Sequence, residues 1–199
     1  MTDVIKSVNL KDGNVLEIYQ MTNPQNPRNT DFDEGNIGTI AAFHKSYSLA
    51  DANVPFKSDD FESWDEMESH ITHTLRAIVS LPLYMYDHSG ITIATTPFSC
   101  AWDSGQIGYI YTTAKRLSEL GVNIKDDEDF ETYKNRIKKS LEAEVKTFDQ
   151  YVTGDVYGFE IKDAEGEYVD GCSGFYGDDF KTNGLLDNIG SEPLNLDDL

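Results

Sequence analysis

AIVSLPLYMYDHSGITIATTPFSCAWDSGQIGYIYTT, residues 77–113, is the stretch that decides the fold class. Three runs within it, AIVSLPLYMY, ITIATT and QIGYIYTT, are rich in Ile, Val, Tyr and Thr, the side chains that suit a pleated, half-buried surface. Asp87-His88-Ser89-Gly90 between the first two reads as a hairpin turn, so three adjacent antiparallel strands are expected. Pro82 lacks an amide hydrogen for a ladder bond, which puts the first strand at an edge or after a bulge.

Helices are expected before and after this stretch in the chain. From Ser58 to about Leu75, Phe61, Trp64, Met67, Ile71 and Leu75 recur at three- and four-residue steps, and Asp59 and Glu62 stand at capping-box spacing. AKRLSELG at 114–121 reads as a short helix ended by Gly121. A long helix follows from about Asp127 to Val152, with Phe130, Tyr133, Ile137, Leu141, Val145, Phe148 and Val152 as its apolar stripe. At about 1.5 Å per residue it spans roughly 39 Å.

Toward the N-terminus, NVLEIYQ at 14–20 reads as a strand and MTNPQNPRNTDFDEGN as a long loop. IGTIAAFHKSYS at 37–48 fits a strand or a short helix; periodicity does not decide. Near the C-terminus DVYGFEIKDAEGEYVDGCSGFYG reads as a hairpin turning at Asp163–Gly166. The expected fold is α+β, an antiparallel sheet of about five strands with one long and one shorter helix packed on it. It forms a single domain over 1–177, followed by an acidic, mobile or surface-draped tail over 178–199.

The chain carries 36 Asp and Glu against 16 Lys and Arg, a net charge of −20 on 199 residues. Such a surface repels nucleic acid and anionic membranes and attracts basic proteins. No run approaches eighteen apolar residues, and MTDVIKSVNLKDGN has neither the basic nor the apolar region of a signal peptide. Cys100 and Cys172 stand alone without a CxxC pair, so a reduced, cytoplasmic protein is the simplest expectation, with a disulfide between the two as the alternative.

LPLYMYDHSGITIATTPFSCAWDSGQIGYIY at 81–111, with NPRNTDFDEGNIGTIAAFHKSYSL at 26–49 and TFDQYVTGDVYGFEI at 147–161, resembles a family of small proteins from phages and mobile elements of Gram-positive bacteria. The likeness covers most of the chain except the acidic tail. Ala101 stands where that family usually has proline, and Ser173 where tryptophan is usual. The family has no assigned activity, so the resemblance implies a genomic setting, a bacterial host cell, and no chemistry.

Chemistry-bearing residues crowd around the turns from Asp87 to Gln106. Cys100 as nucleophile, His88 as its base and Asp103 beside them form the candidate catalytic group, since a thiolate paired with imidazolium is the reactive form. No flanking signature of a cysteine hydrolase accompanies them. The plainer reading has Asp87, Ser89, Asp103 and Ser104 bonding turn amides, with Cys100 a small packed residue. His70 and His73 are three apart on the first expected helix, but the HExxH arrangement is absent and two solvent-facing histidines are the expectation. DAEGEYVDG and DFDEGN lack the ligand order of a calcium loop, and TGDVYG has too little glycine, beside Asp155, to cradle phosphate. No metal and no cofactor is expected.

Three acidic clusters stand out: the C-terminal stretch 163–199, and two at expected helix starts, Asp59, Asp60, Glu62, Asp65, Glu66 and Glu68 in one and Asp126, Asp127, Glu128, Asp129 and Glu131 in the other. The macrodipole accounts for part of this placement. Carboxylates held there can also imitate a row of phosphates, since a helix rises about 1.5 Å per residue and duplex DNA presents one charge per roughly 1.7 Å. The leading expectation is therefore a binding protein that inhibits a basic, nucleic-acid-binding host defence protein of restriction or CRISPR type by charge mimicry. A small enzyme or ligand binder built on the Asp87–Gln106 loops is the alternative, and an assembly protein that self-associates through an aromatic patch is a third.

Overall fold

The computed structural model describes residues 4–29 and 35–195. In chain order its strands are β1 (Val4–Asn9), β2 (Val15–Gln20), β3 (Thr39–Ala42), β4 (Ala77–Asp87), β5 (Ile91–Ala94), β6 (Ser104–Thr113), β7 (Val156–Lys162) and β8 (Tyr168–Tyr176). The α-helices are α1 (Trp64–Ser69), α2 (Ala114–Glu119) and α3 (Phe130–Thr153). The class is α+β as expected, but the strands form two four-stranded antiparallel sheets in place of one sheet of about five. Among the described residues no helix is long and apolar enough to cross a membrane.

One compact unit combines residues 4–26 with 150–195 and holds the sheet ordered β1-β2-β7-β8. Period-two alternation makes this pairing productive. Leu16 lies opposite Ile161 and Ile18 opposite Phe159, so each pair buries the same face. β1 is an edge strand whose Val4 and Ile5 are exposed, and its weak alternation explains why the sequence does not announce it. The stretch after Gly177, read as an appended tail, contributes Phe180 and Leu185 to this core. A short 3-10 turn at Leu185–Asn188 and an isolated bridge from Leu10 to Pro193 lie along it.

The other unit, residues 27–149, holds the sheet ordered β3-β6-β4-β5. β6 is interior, and Ile107 to Thr112 are all buried. Gly108 is required there: a Cβ would lie 1.9 Å from the carbonyl oxygen of Ala41 on β3. β4 pairs with β6 along most of its length but with β5 only from Tyr84 to Asp87. At Pro82 it is locally an edge, which is how an interior strand accommodates proline. α3 buries Tyr133, Ile137, Leu141, Val145 and Phe148, and its Asp149 carboxylate accepts the Thr92 hydroxyl and the Ile93 amide of β5, both at 2.7 Å.

The first expected helix is the least regular element. Ser58–Asp60 is a 3-10 turn, α1 spans only six residues, and His70–Thr74 continues as a π-helical turn. Ser63, not Asp59, is the N-cap of α1: its Oγ accepts the Glu66 amide at 3.2 Å. Phe61, Trp64, Met67, Ile71 and Leu75 still meet in one apolar cluster with Phe56, Tyr109 and Tyr111. Periodicity identified the apolar side of the segment, with Met67 and Ile71 buried and Phe61, Trp64 and Leu75 partly so, while the backbone beneath them changed its hydrogen-bond pattern twice.

A buried ionic cluster pins three segments of this unit together. The Arg28 guanidinium donates to Asp51 through Nε (3.1 Å) and Nη2 (2.5 Å), to Glu144 through Nη1 (2.8 Å), and to the Gly38 carbonyl (2.8 Å). Asp51 also accepts the Ile40 amide, and Glu144 accepts the amides of Ile37 and Gly38. Burial pushes the Glu144 carboxyl above its ordinary value, against the opposing pull of Arg28 and those amides.

Candidate functional site

The acidic residues of the first cluster fall on three local conformations, so they do not form one helical row. Asp59 and Asp60 lie in the 3-10 turn, Glu62 precedes α1, and Asp65, Glu66 and Glu68 lie on α1, which rises only about 9 Å. Several have local tasks. Asp60 accepts the Lys57 amide at 2.8 Å, Glu66 the Glu62 amide at 2.7 Å, and Asp59 the Ser58 hydroxyl at 3.1 Å. All six are exposed, and none of them forms an ion pair with a cation among the described residues.

The second cluster is different. Asp126, Asp127, Glu128 and Asp129 precede α3, and only Glu131 lies within it. Asp129 caps the helix, accepting the Thr132 amide at 2.7 Å, and that bond lowers its carboxyl. Arg136 grips Glu128 at 2.9 and 2.7 Å, which brings that carboxyl down to about 2. Glu131 faces Lys134 at 3.7 Å. Three of these five carboxylates are thus satisfied by their own helix, and Asp126 and Asp127 are left exposed. The 59–68 cluster therefore keeps more carboxylates without a cation partner among the described residues than the second does.

The Asp87–Gln106 loops converge on Asp103. Its Oδ2 lies 3.4 Å from His88 Nδ1 and 3.6 Å from Cys100 Sγ, and its carbonyl accepts the Asp87 amide at 2.8 Å. Sequence proximity therefore does bring the three candidate residues together, but with the carboxylate between imidazole and thiol. The thiol hydrogen points to Asp103, whereas a nucleophile–base pair needs it on His88. The His88–Asp103 pair is 65% and 40% exposed, so it contributes no more than about 1 kcal/mol and mainly orients the ring. Ser89 has φ +61°, the left-handed value that closes the turn, and the Ser104 hydroxyl donates to the Cys100 carbonyl. Both cysteines are free thiols.

Trp102, next to Cys100 on the β5–β6 loop, is 97% exposed. Indoles are rarely left so bare, and composition alone gives no hint of it. His70 is not solvent-facing as expected: its ring packs 5.5 Å from Phe56 and 5.3 Å from Phe61, while His73 is exposed. Asp163 accepts the amides of Glu165 and Glu167, so DAEGEYVDG makes a hairpin turn. In DFDEGN, residues 31–34 lie outside the described residues.

One concavity in this unit is not advertised by the sequence. The end of β3 with the loop that follows it, residues 42–50, and Ser58, Asp59 and Trp64 border an open cleft of about 800 Å³. His44 and Tyr47 stack there at 5.1 Å, and burial together with the nearby Asp87 carboxylate holds the Tyr47 phenol above its ordinary value. The only local signal for it is the polar-aromatic run FHKSYS at 43–48, which resembles an ordinary loop. Comparison with family models, with curated proteins and with solved structures finds no match to this chain.

Proposed function

We propose that this chain is an acidic binding protein that uses the 59–68 surface to engage a basic, nucleic-acid-binding host protein and block its access to nucleic acid. The observation that carries this reading is the set of six exposed carboxylates, Asp59, Asp60, Glu62, Asp65, Glu66 and Glu68, with no cation paired to them among the described residues. Unpaired surface charge contributes little to stability but steers association with an oppositely charged partner. The resemblance to phage and mobile-element proteins favours a defence protein of restriction or CRISPR type as the target, which would make the chain an anti-restriction or anti-CRISPR DNA mimic. The short α1 favours point-by-point pairing with basic side chains over imitation of a long phosphate row. Low-salt pull-down from bacterial lysate tests the reading. It predicts recovery of a nucleic-acid-binding protein, lost on charge reversal at Asp59, Asp60, Asp65 and Glu66; recovery indifferent to those reversals refutes it.

A second reading, a small enzyme or ligand binder, draws on the meeting of His88, Asp103 and Cys100. It requires that alanine at His88 or Cys100 abolish an activity while the fold is retained.

A further inference from the structure

The cleft beside the acidic surface has its own chemistry. Its aromatic lining comes from two separate segments, the His44–Tyr47 stack on the loop after β3 and Trp64 at the start of α1. Asp59 lines it as well, and Asp60, Glu62, Asp65 and Glu66 are exposed on the adjoining chain. An aromatic-lined cleft in a negative field selects a cation that is flat and weakly hydrated. Guanidinium meets both conditions: it stacks on rings and pairs bidentately with carboxylate. Ammonium is compact, strongly hydrated and does neither well.

We propose that this cleft receives an arginine side chain of the basic partner, stacked on Tyr47 and Trp64 and paired with Asp59. The inference rests on the acidic-binding reading and names the cation that surface recognises. Lys45 also lines the cleft and opposes any incoming cation, as does His44 when protonated. Affinity is therefore lower than the aromatic lining alone would give, and removing Lys45 raises it.

The test uses the full chain with Trp102→Phe, which leaves Trp64 as the sole indole, since the sequence has two tryptophans and Trp102 lies outside the cleft lining. Labelled nona-arginine and nona-lysine are titrated by fluorescence anisotropy at about 50 mM salt, where surface charge is weakly screened. Nona-arginine should bind about tenfold tighter than nona-lysine and quench Trp64. Tyr47→Leu, on an exposed loop, should remove that preference while leaving nona-lysine affinity unchanged, and Trp64→Leu should do the same if α1 stays folded by circular dichroism. Lys45→Gln should tighten both peptides. Equal affinities with unchanged Trp64 emission overturn the cleft assignment and leave the acidic surface standing. So does quenching by a neutral saccharide without arginine preference. Failure of both peptides to bind, or binding indifferent to charge reversal at Asp65 and Glu66, overturns the cleft assignment and the acidic reading together.

Discussion

Arg28→Met strips the cation from a cluster whose three side chains, Arg28, Asp51 and Glu144, are only 5%, 6% and 12% exposed. Methionine fills most of the volume but leaves two buried carboxylates without the guanidinium that pairs both of them. Breaking a buried pair in this way costs about 3–5 kcal/mol. Among the described residues the Arg28 fork makes hydrogen bonds to Asp51, Glu144 and the Gly38 carbonyl, so the upper half of that range applies, about 4 kcal/mol. That is a large share of the roughly 5–15 kcal/mol that stabilises an ordinary domain. Both tryptophans, Trp64 and Trp102, fall within residues 27–149, so tryptophan fluorescence in urea reports the affected unit selectively. The midpoint should fall with little change in slope. Adding Asp51→Leu and Glu144→Leu should recover only part of the loss, because the amides of Ile37, Gly38 and Ile40 then lose their acceptors. A loss under about 1 kcal/mol for Arg28→Met would refute the claim that this cluster fastens the unit.

Three further perturbations have defined outcomes. Glu128 titrates near 2 in the folded chain against an ordinary value of 4.5, because Arg136 hydrogen-bonds its charged form. The unfolded chain thus takes up the proton first, and the stabilisation from this residue is complete above its ordinary value and lost as pH falls through about 2. Glu128→Gln should flatten the acid limb of the stability–pH curve in that window, measured by urea titration; an unchanged limb would contradict the assignment. Ser63→Ala removes the cap of α1 and should cost about 1 kcal/mol, read from the same fluorescence transition. Gly108→Ala drives a methyl into the Ala41 carbonyl and should cost about 3 kcal/mol, with loss of amide-exchange protection along β3.

The three central strands, α3 and the β7–β8 hairpin were legible because their information is local. β-branched runs, a seven-residue apolar stripe and a Gly-ended turn each sit within one short window. The division into two sheets was not legible, because β2 pairs with β7 from about 140 residues away and no residue near either strand names its partner. The same separation explains why Phe180 and Leu185 looked like parts of an acidic tail: their hydrophobic counterparts lie on other strands. At the candidate site, residue types were legible and geometry was not. His88, Cys100 and Asp103 crowd into one run of turns in the sequence, but nothing there says that the carboxylate stands between imidazole and thiol. The charge total likewise concealed that α3 answers three of its carboxylates internally, which only the positions of Arg136, Lys134 and the Thr132 amide disclose.

The pairing of β2 with β7 has a consequence for biogenesis. Chains are made at about 5–20 residues per second, so the β1–β2 hairpin leaves the ribosome on the order of ten seconds before its partner strand exists. During that interval Leu16 and Ile18 present one finished apolar face with nothing to cover it. Residues 27–149 emerge in between as a unit with its own sheet, and their folding draws Gln20 and Val156 toward each other by compacting the chain that separates them. The intervening unit thus acts as a timed spacer, and a nascent chain stalled before Val156 should hold one folded body behind a sticky, half-built hairpin.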